Sequence, residues 1–335
     1  MDPALSGDDV IIGRIGELHI DKNQNFYVSD LISQTIKKFD KKGMFQQEIG
    51  RRGRGNGEFM SIKGFSMGYA PDDTELLIVS DEVNRIINVY TIRGELVTSY
   101  GIPTGTEFPR GKFKSIILNN EIKHLFWYKL HEASPDQNCL FHLFNHDFTS
   151  KEQCYGDFHD LRTHKNKTFH YLTQAQAGHV VIDEDNTIYY TPKFYEGVIY
   201  QYSFNSFDQS WFLSGFLEGL VHHTNPIKEN KEPSNYQVSY SGERLYGRLL
   251  NVSLGLFNTP SGLVHFTRIT TPEDEIWFGM ESFNQDGRLQ AYYKISIVPP
   301  EEDDRWNDVL NIDGQGYYYV ADNHTEIPIL YQMRF

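Results

Sequence analysis

Residues 21–59 read DKNQNFYVSDLISQTIKKFDKKGMFQQEIGRRGRGNGEF, and this stretch constrains the fold more than any other. Phe26-Tyr27-Val28 is an aromatic and β-branched run that ends at Ser29-Asp30. Ile36 to Phe39 alternates apolar and polar residues, Asp40-Lys41-Lys42-Gly43 turns the chain into a third run from Met44 to Ile49, and Gly50 closes the unit. The same order returns fifty-one residues later, with Asp30, Ile36, Phe39, Gly43 and Gly50 mapping onto Asp81, Ile87, Tyr90, Gly94 and Gly101. One spacing shared by five positions is an internal repeat.

The repeat divides the rest of the chain. Short strands joined by tight turns make an up-and-down sheet, and such units are expected at about 16–50, 63–101, 113–156, 179–214, 252–297 and 308–335, the last joined by 9–15. The last unit, with Asp313 to Asp322 spaced as Asp21 to Asp30 and Asp72 to Asp81, runs out one strand short. A ring must join its first and last members or leave an open edge. Val10-Ile11-Ile12 has no hairpin partner and is expected to supply the missing outer strand. The reading is one all-β domain over 1–335: a six-bladed β-propeller of four-stranded antiparallel blades, its last blade closed by an N-terminal strand.

Composition agrees and sets limits. Aromatic residues are 14% of the chain, with 21 Tyr and 23 Phe, which suits strands. No long apolar window predicts a transmembrane segment. MDPALSGDDV lacks a basic region followed by an apolar core, so no signal peptide is expected within it. An extracytoplasmic location, with a signal already removed, is the expectation ahead of a cytoplasmic one. The net charge of -14 argues against nucleic acid and anionic membranes as partners. Cys139 and Cys154 flank a hairpin turn near His146-Asp147. They allow a cross-strand disulfide in an oxidising compartment, but two reduced, half-buried thiols are the expectation.

Tyr27-Val28-Ser29-Asp30, Ile36-Lys37-Lys38-Phe39-Asp40, Gly43, and Gly50 followed by Gly53, Gly55, Gly57 and Phe59 resemble NHL repeats. Tyr319-Val320-Ala321-Asp322 in the last blade is similar. The chain therefore resembles NHL-type six-bladed propellers, including bacterial proteins known only by that fold. The match is good in blades one, two and six, partial in four, and poor in three and five. The resemblance implies a propeller and no particular activity.

Strand alternation places the ends of second strands and the interblade crossovers on one face. Asp30, Asp81 and Asp322 fall there, as do the crossover Gly50–Phe59 and the long connections Asp157–Gly178 and Gly215–Asn251. Loops that long are often functional, so this is the expected working face. Its candidate binding residues are Asp30, Asp81, Asp322, Arg51, Arg52, Arg54, Trp127, Tyr128, His131, His222 and His223.

Each candidate has a structural counter-reading. The three aspartates could gather a cation, but an Asp after a strand commonly accepts backbone N–H bonds. Gly53-Arg54-Gly55-Asn56-Gly57 with Arg51 and Arg52 could cradle a phosphate, but a crossover that needs glycine dihedrals explains it as well. The loop histidines His131, His159, His164, His170, His222, His223 and His324 show no metal-ligand spacing. Phe126-Trp127-Tyr128 and Tyr189-Tyr190 could line a glycan or peptide site, or fill the core. No cofactor is evident, with Ca²⁺ or Zn²⁺ as the candidate divalent cation. The favoured function is a non-catalytic binding or scaffold propeller for a protein, peptide or glycan. The alternative is a propeller enzyme, similar to lactonases or lyases, with a metal near the channel.

Overall fold

The structure, a computed structural model, describes residues 10–70, 72, 74–105, 108–109, 112–127, 139–157, 178–220, 236–241, 244–249, 251–295, 309–313, 315–323 and 328–334. Regular structure among the described residues is entirely β. Blade one is β1 (Ile15–Ile20), β2 (Phe26–Asp30), β3 (Thr35–Phe39) and β4 (Phe45–Ile49). Blade two is β5 (Ile62–Tyr69), β6 (Glu75–Asp81), β7 (Ile86–Thr91) and β8 (Leu96–Gly101). Blade three is β9 (Lys112–Leu118), β10 (Glu121–Trp127), β11 (Cys139–Phe144) and β12 (Lys151–Asp157). Blade four is β13 (His179–Ile182), β14 (Ile188–Thr191), β15 (Val198–Asn205) and β16 (Ser210–Glu218).

A separate two-stranded hairpin follows, β17 (Tyr236–Ser241) and β18 (Arg244–Leu249). Blade five is β19 (Asn251–Thr259), β20 (Gly262–Thr270), β21 (Ile276–Phe283) and β22 (Leu289–Ile295). Blade six is β23 (Val309–Ile312), β24 (Tyr317–Asp322) and β25 (Ile329–Arg334). Each sheet is antiparallel in sequence order, and together they form a six-bladed β-propeller. The hairpin β17–β18 corrects the expectation of one long loop over Gly215–Asn251. The alternating YQVSYS and RLYGRL pair as its two strands, a signal hidden by the surrounding polar sequence.

Side chains at the turns set the hairpins. Asp21 Oδ1 accepts the N–H groups of Asn23 and Asn25 at 2.9 and 2.8 Å. Asp40, Asp183 and Asp313 do the same for the residues two and four positions on. Such a turn closes on local hydrogen bonds and needs no partner strand to form. The second oxygen of the turn aspartate reaches further. Tyr27 Oη donates to Asp21 Oδ2 at 3.1 Å, and Tyr319 Oη to Asp313 Oδ2 at 2.8 Å. Tyr189 bonds Asp183 at the same six-residue interval. These second-strand tyrosines, Tyr189 among them, are held by their own hairpin turns.

The chain gathers into two compact units: Met1–Tyr128, Phe141–Cys154 and Val309–Phe335, and Lys129–Leu140 with Tyr155–Asp308. In the first unit, one apolar cluster joins blades one and two through Tyr27, Ile36, Ile49, Phe59, Phe65 and Tyr90. Another joins blades two and three through Ile78, Ile87, Phe113 and Phe126. A third joins blades six and one, where Leu18, Phe26 and Val28 meet Tyr319, Ala321 and Leu330. In the second unit, Val181, Ile199 and Leu217 of blade four meet Leu256, Leu263 and Phe283 of blade five. Cys139 and Cys154 are both disulfide-bonded, and the chain has no other cysteine. This corrects the expectation of reduced thiols. They sit on the neighbouring strands β11 and β12, which brings them within reach.

The contact between blades six and one repeats that between one and two. Ile62 N–H, which starts β5, donates to Gln34 Oε1 in the blade-one loop after β2 at 2.6 Å. Ile15 N–H, which starts β1, donates to Asn323 Oδ1 in the blade-six loop after β24 at 2.8 Å, and Asn323 Nδ2 returns a bond to Ile15 O. Blade six shows three strands among the described residues. Residues 10–12 are not assigned as a strand, but Val10 and Ile12 pack on the cluster of blades six and one. The proposed closure by the N-terminal segment has a direct test. A chain starting at Ile15 loses those two side chains and the Gly13 and Arg14 N–H donors to Asp30. It should melt well below the parent or aggregate. Parental melting of the truncated chain would place the seam elsewhere.

Candidate functional site

Asp30 and Asp81 end the second strands of blades one and two, and both are buried. The Asp81 carboxylate accepts four backbone N–H groups, from Met60 and Ser61 at 2.6 and 3.1 Å and from Val83 and Asn84 at 3.1 and 3.2 Å. The first two residues lead into the inner strand of the blade. The other two begin the loop towards its third strand. Asp30 makes the same set with Gly13, Arg14, Ile32 and Ser33. Burial acts to raise the Asp30 carboxyl, but donors from Gly13, Ile32, Ser33 and Arg14 outweigh it and hold it below the usual value. Asp322 ends β24 opposite Ile329, beside the Asn323 cap.

The glycine-rich crossover is folded around a carboxylate of its own. Glu58 Oε2 accepts Gly55 N–H at 2.7 Å, and Glu58 Oε1 takes Arg51 Nε and Nη2, each at 2.7 Å. A Cβ at Gly53 would press on the Glu58 carboxylate, which would have to swing aside, so glycine leaves this approach open. The Gly55 N–H and the Arg51 guanidinium hold the Glu58 carboxyl below its usual value. Gly55 N–H and Arg51, two of the groups a phosphate would use, are thus taken up by Glu58. Gly53 N–H bonds Phe59 O and Phe59 N–H bonds Arg51 O, so the loop is tied at its base. Arg52 and Arg54 project from it, exposed.

The inner strands carry polar groups that the sequence reading missed. Glu17 and His19 lie on one side of β1. Glu17 Oε2 accepts Phe65 N–H at 2.8 Å, and His19 Nε2 donates to Phe65 O at 2.9 Å. Two side chains two residues apart thus saturate both backbone groups of one residue on the free edge of β5. Blade six treats blade one alike, with Asn311 Nδ2 donating to Leu18 O at 3.1 Å. In the second unit His179 Nε2 donates to Ser253 O at 3.1 Å. Burial pushes Glu17 up to about 6, against Lys112 and the Phe65 N–H bond. Burial pulls His19 down to about 4, aided by Lys112 and Lys114. The available signal was Glu and His two apart in IGELHI, in an otherwise apolar strand.

Blade five holds a Ser–His–Glu relay. Ser253 Oγ lies 2.9 Å from His265 Nε2, and His265 Nδ1 lies 2.8 Å from Glu281 Oε2. The geometry matches an activated nucleophile. However, none of the three exceeds 1% exposure. Glu281 also accepts Tyr195 Oη at 2.6 Å and Leu220 N–H at 2.7 Å. This relay is a buried strut that ties segments of blade four to blade five. Blade three has a shorter version, with Ser115 Oγ 2.9 Å from His124 Nδ1 and His124 Nε2 donating to His146 O at 3.1 Å.

Among the sequence candidates, Trp127 is buried at the end of β10. Tyr128, His131, His222 and His223 lie outside the described residues, as do the other loop histidines His159, His164, His170 and His324. Among the described residues no three His, Cys, Asp or Glu side chains gather as a metal site requires, and no helix is long and apolar enough to cross a membrane.

A family model described as a 6-bladed beta-propeller, DUF5128, matches residues 6–236, more than half of the chain. No curated protein matches the sequence. A solved member of the DUF4221 family from Bacteroides vulgatus ATCC 8482 is similar at TM-score 0.59 and 8% identity, over 97% of this chain and 93% of that one. An exported-protein candidate from Bacteroides fragilis NCTC 9343 is similar at TM-score 0.53 and 12% identity, over 94% of this chain and 80% of that one. At such identities the likeness speaks for the fold alone.

Two outcomes follow for stability. Asp81→Ala leaves four N–H groups without their acceptor and should cost on the order of 3 kcal/mol in denaturant unfolding. An unchanged unfolding midpoint would contradict that role. The second outcome concerns pH. His19 is held near 4, and burial pulls His124 to about 3, against an ordinary 6.5. The unfolded chain takes up these protons first, so stability is full above 6.5 and falls as the pH drops through the folded values. Glu17 works the other way: its contribution is complete below 4.5 and lost as the pH rises through about 6. Glu17→Gln should therefore steepen the rise in melting temperature between pH 4.5 and 6. A profile parallel to the parent's would show that Glu17 is not perturbed.

Proposed function

Because the chain belongs to DUF5128, a family of six-bladed β-propellers, we propose that it is a non-catalytic binding or scaffold propeller. It engages a protein, peptide or glycan through its loop-bearing face. The observation that carries this reading is how that face uses its acids. Asp30 and Asp81 are taken up by backbone N–H groups, and Glu58 by Gly55 and Arg51. Carboxylates committed to backbone geometry serve a scaffold better than a reaction, because shifting a proton or a metal onto them would break the loops they hold. The NHL-like pattern of blades one, two and six fits the same use. The Cys139 and Cys154 disulfide supports an oxidising, extracytoplasmic location.

The test joins metal analysis to a binding screen. Purified protein is assayed for bound metals, then screened on glycan and peptide arrays with and without chelator. Saturable, chelator-insensitive binding to at least one array is the expected result. Stoichiometric Ca²⁺ or Zn²⁺ together with turnover of a lactone or ester would establish the propeller-enzyme reading instead.

A further inference from the structure

The crossover face of blades one and two is basic on a chain whose net charge is -14. Its segments are tied together. Asp30 joins residues 13–14 to 32–33, Gln34 bonds Ile62 at the start of β5, and Asp81 joins residues 60–61 to 83–84. Asn84 Nδ2 then bonds Gly53 O in the glycine loop at 2.9 Å. The acids of this surface are spent internally: Asp30 and Asp81 are buried, Glu58 holds Arg51, and Glu82 pairs with Lys63 at 3.5 Å. Arg14, Arg52 and Arg54 are exposed, and none has an ion-pair partner among the described residues.

Two apolar side chains stand at equivalent positions of the same two blades. Ile32 is two residues after Asp30 and 62% exposed, and Val83 is two residues after Asp81 and 55% exposed. Their N–H groups bond the two aspartates at 3.0 and 3.1 Å, so each is presented on a fixed turn. Single exposed apolar residues need no explanation. Here two of them recur by blade: Ile32 stands against Gly13, next to Arg14, and Val83 precedes Asn84, which bonds the loop that carries Arg52 and Arg54.

We infer that this surface docks an extended protein segment in which Asp or Glu alternates with apolar residues, bridging blade one to blade two. The inference rests on the binding reading above and names the ligand class. Guanidiniums grip carboxylates through paired N–H donors. Ile32 and Val83 supply the apolar anchors that protein interfaces need at their centre. A glycan has no side chains for those anchors. Nucleic acid offers phosphates for the guanidiniums but likewise no aliphatic side chains for Ile32 and Val83.

The probe is a yeast-displayed library of random segments of about 12 residues, extended enough to span neighbouring blades. Binders selected on the parent protein should be enriched in Asp and Glu alternating with apolar residues. Their affinity should fall at least about tenfold with Arg52→Glu combined with Arg54→Glu, and similarly with Ile32→Ser combined with Val83→Ser. It should also weaken between about 50 and about 500 mM salt. All four positions are exposed, and unchanged melting of the variants confirms that folding is intact. Failure to enrich acidic binders, or binders indifferent to the arginine pair, would overturn the inference. So would polygalacturonate binding with the same arginine dependence while the peptides do not bind. An array ligand that binds equally to the Arg52→Glu, Arg54→Glu variant would also overturn it, yet leave the broader binding role standing.

Discussion

The structure depends on what happens to backbone N–H and C=O groups where a sheet stops. A propeller blade pairs its backbone only within itself, so its inner edge, its strand ends and its crossovers all present unpaired donors and acceptors. In this chain, side chains of fixed type meet them. Turn aspartates close the hairpins, second-strand aspartates collect the crossovers, Gln34 and Asn323 cap the first residue of the next blade, and His19, Glu17, Asn311 and His179 cover inner edges. Apolar clusters fill the space between blades. They are non-directional, and the polar caps fix the register that the clusters leave free.

That economy shapes where function can sit. Groups that look reactive by composition, such as the aspartates and the Ser253–His265–Glu281 relay, are the most deeply committed to structure. A buried, fully bonded network is stiff, and its cost when broken is high. At the crossovers of blades one and two, Arg14, Arg52, Arg54, Ile32 and Val83 are exposed, on turns and loops tied by carboxylates. Asp30 and Asp81 therefore matter to any binding there indirectly, because they set the turns that carry Ile32 and Val83.

Sequence by itself determined the repeat, the strand order and the hairpin turns, because those rest on local spacing. The nine-residue interval from Asp21 to Asp30 puts one carboxylate on the hairpin turn and the other at the strand end. Gly43, Gly94 and Gly50 mark positive-φ positions. Bonds between residues two to six apart follow from such spacings. Tertiary structure alone decided which partners meet across blades. Phe65 meets Glu17 and His19, Asn323 meets Ile15 across nearly the whole chain, and three polar residues on successive strands of blade five line up as a relay. The hairpin β17–β18 and the disulfide were likewise open in the sequence, since each depends on strands being brought together. The same holds for the glycine loop: a phosphate cradle and a carboxylate cradle read alike in sequence, and only the fold of residues 50–59 shows that Glu58 takes up the Gly55 N–H. The physical reason is that a pattern records which groups need a partner, whereas the choice of partner is settled by the packing that brings distant strands side by side.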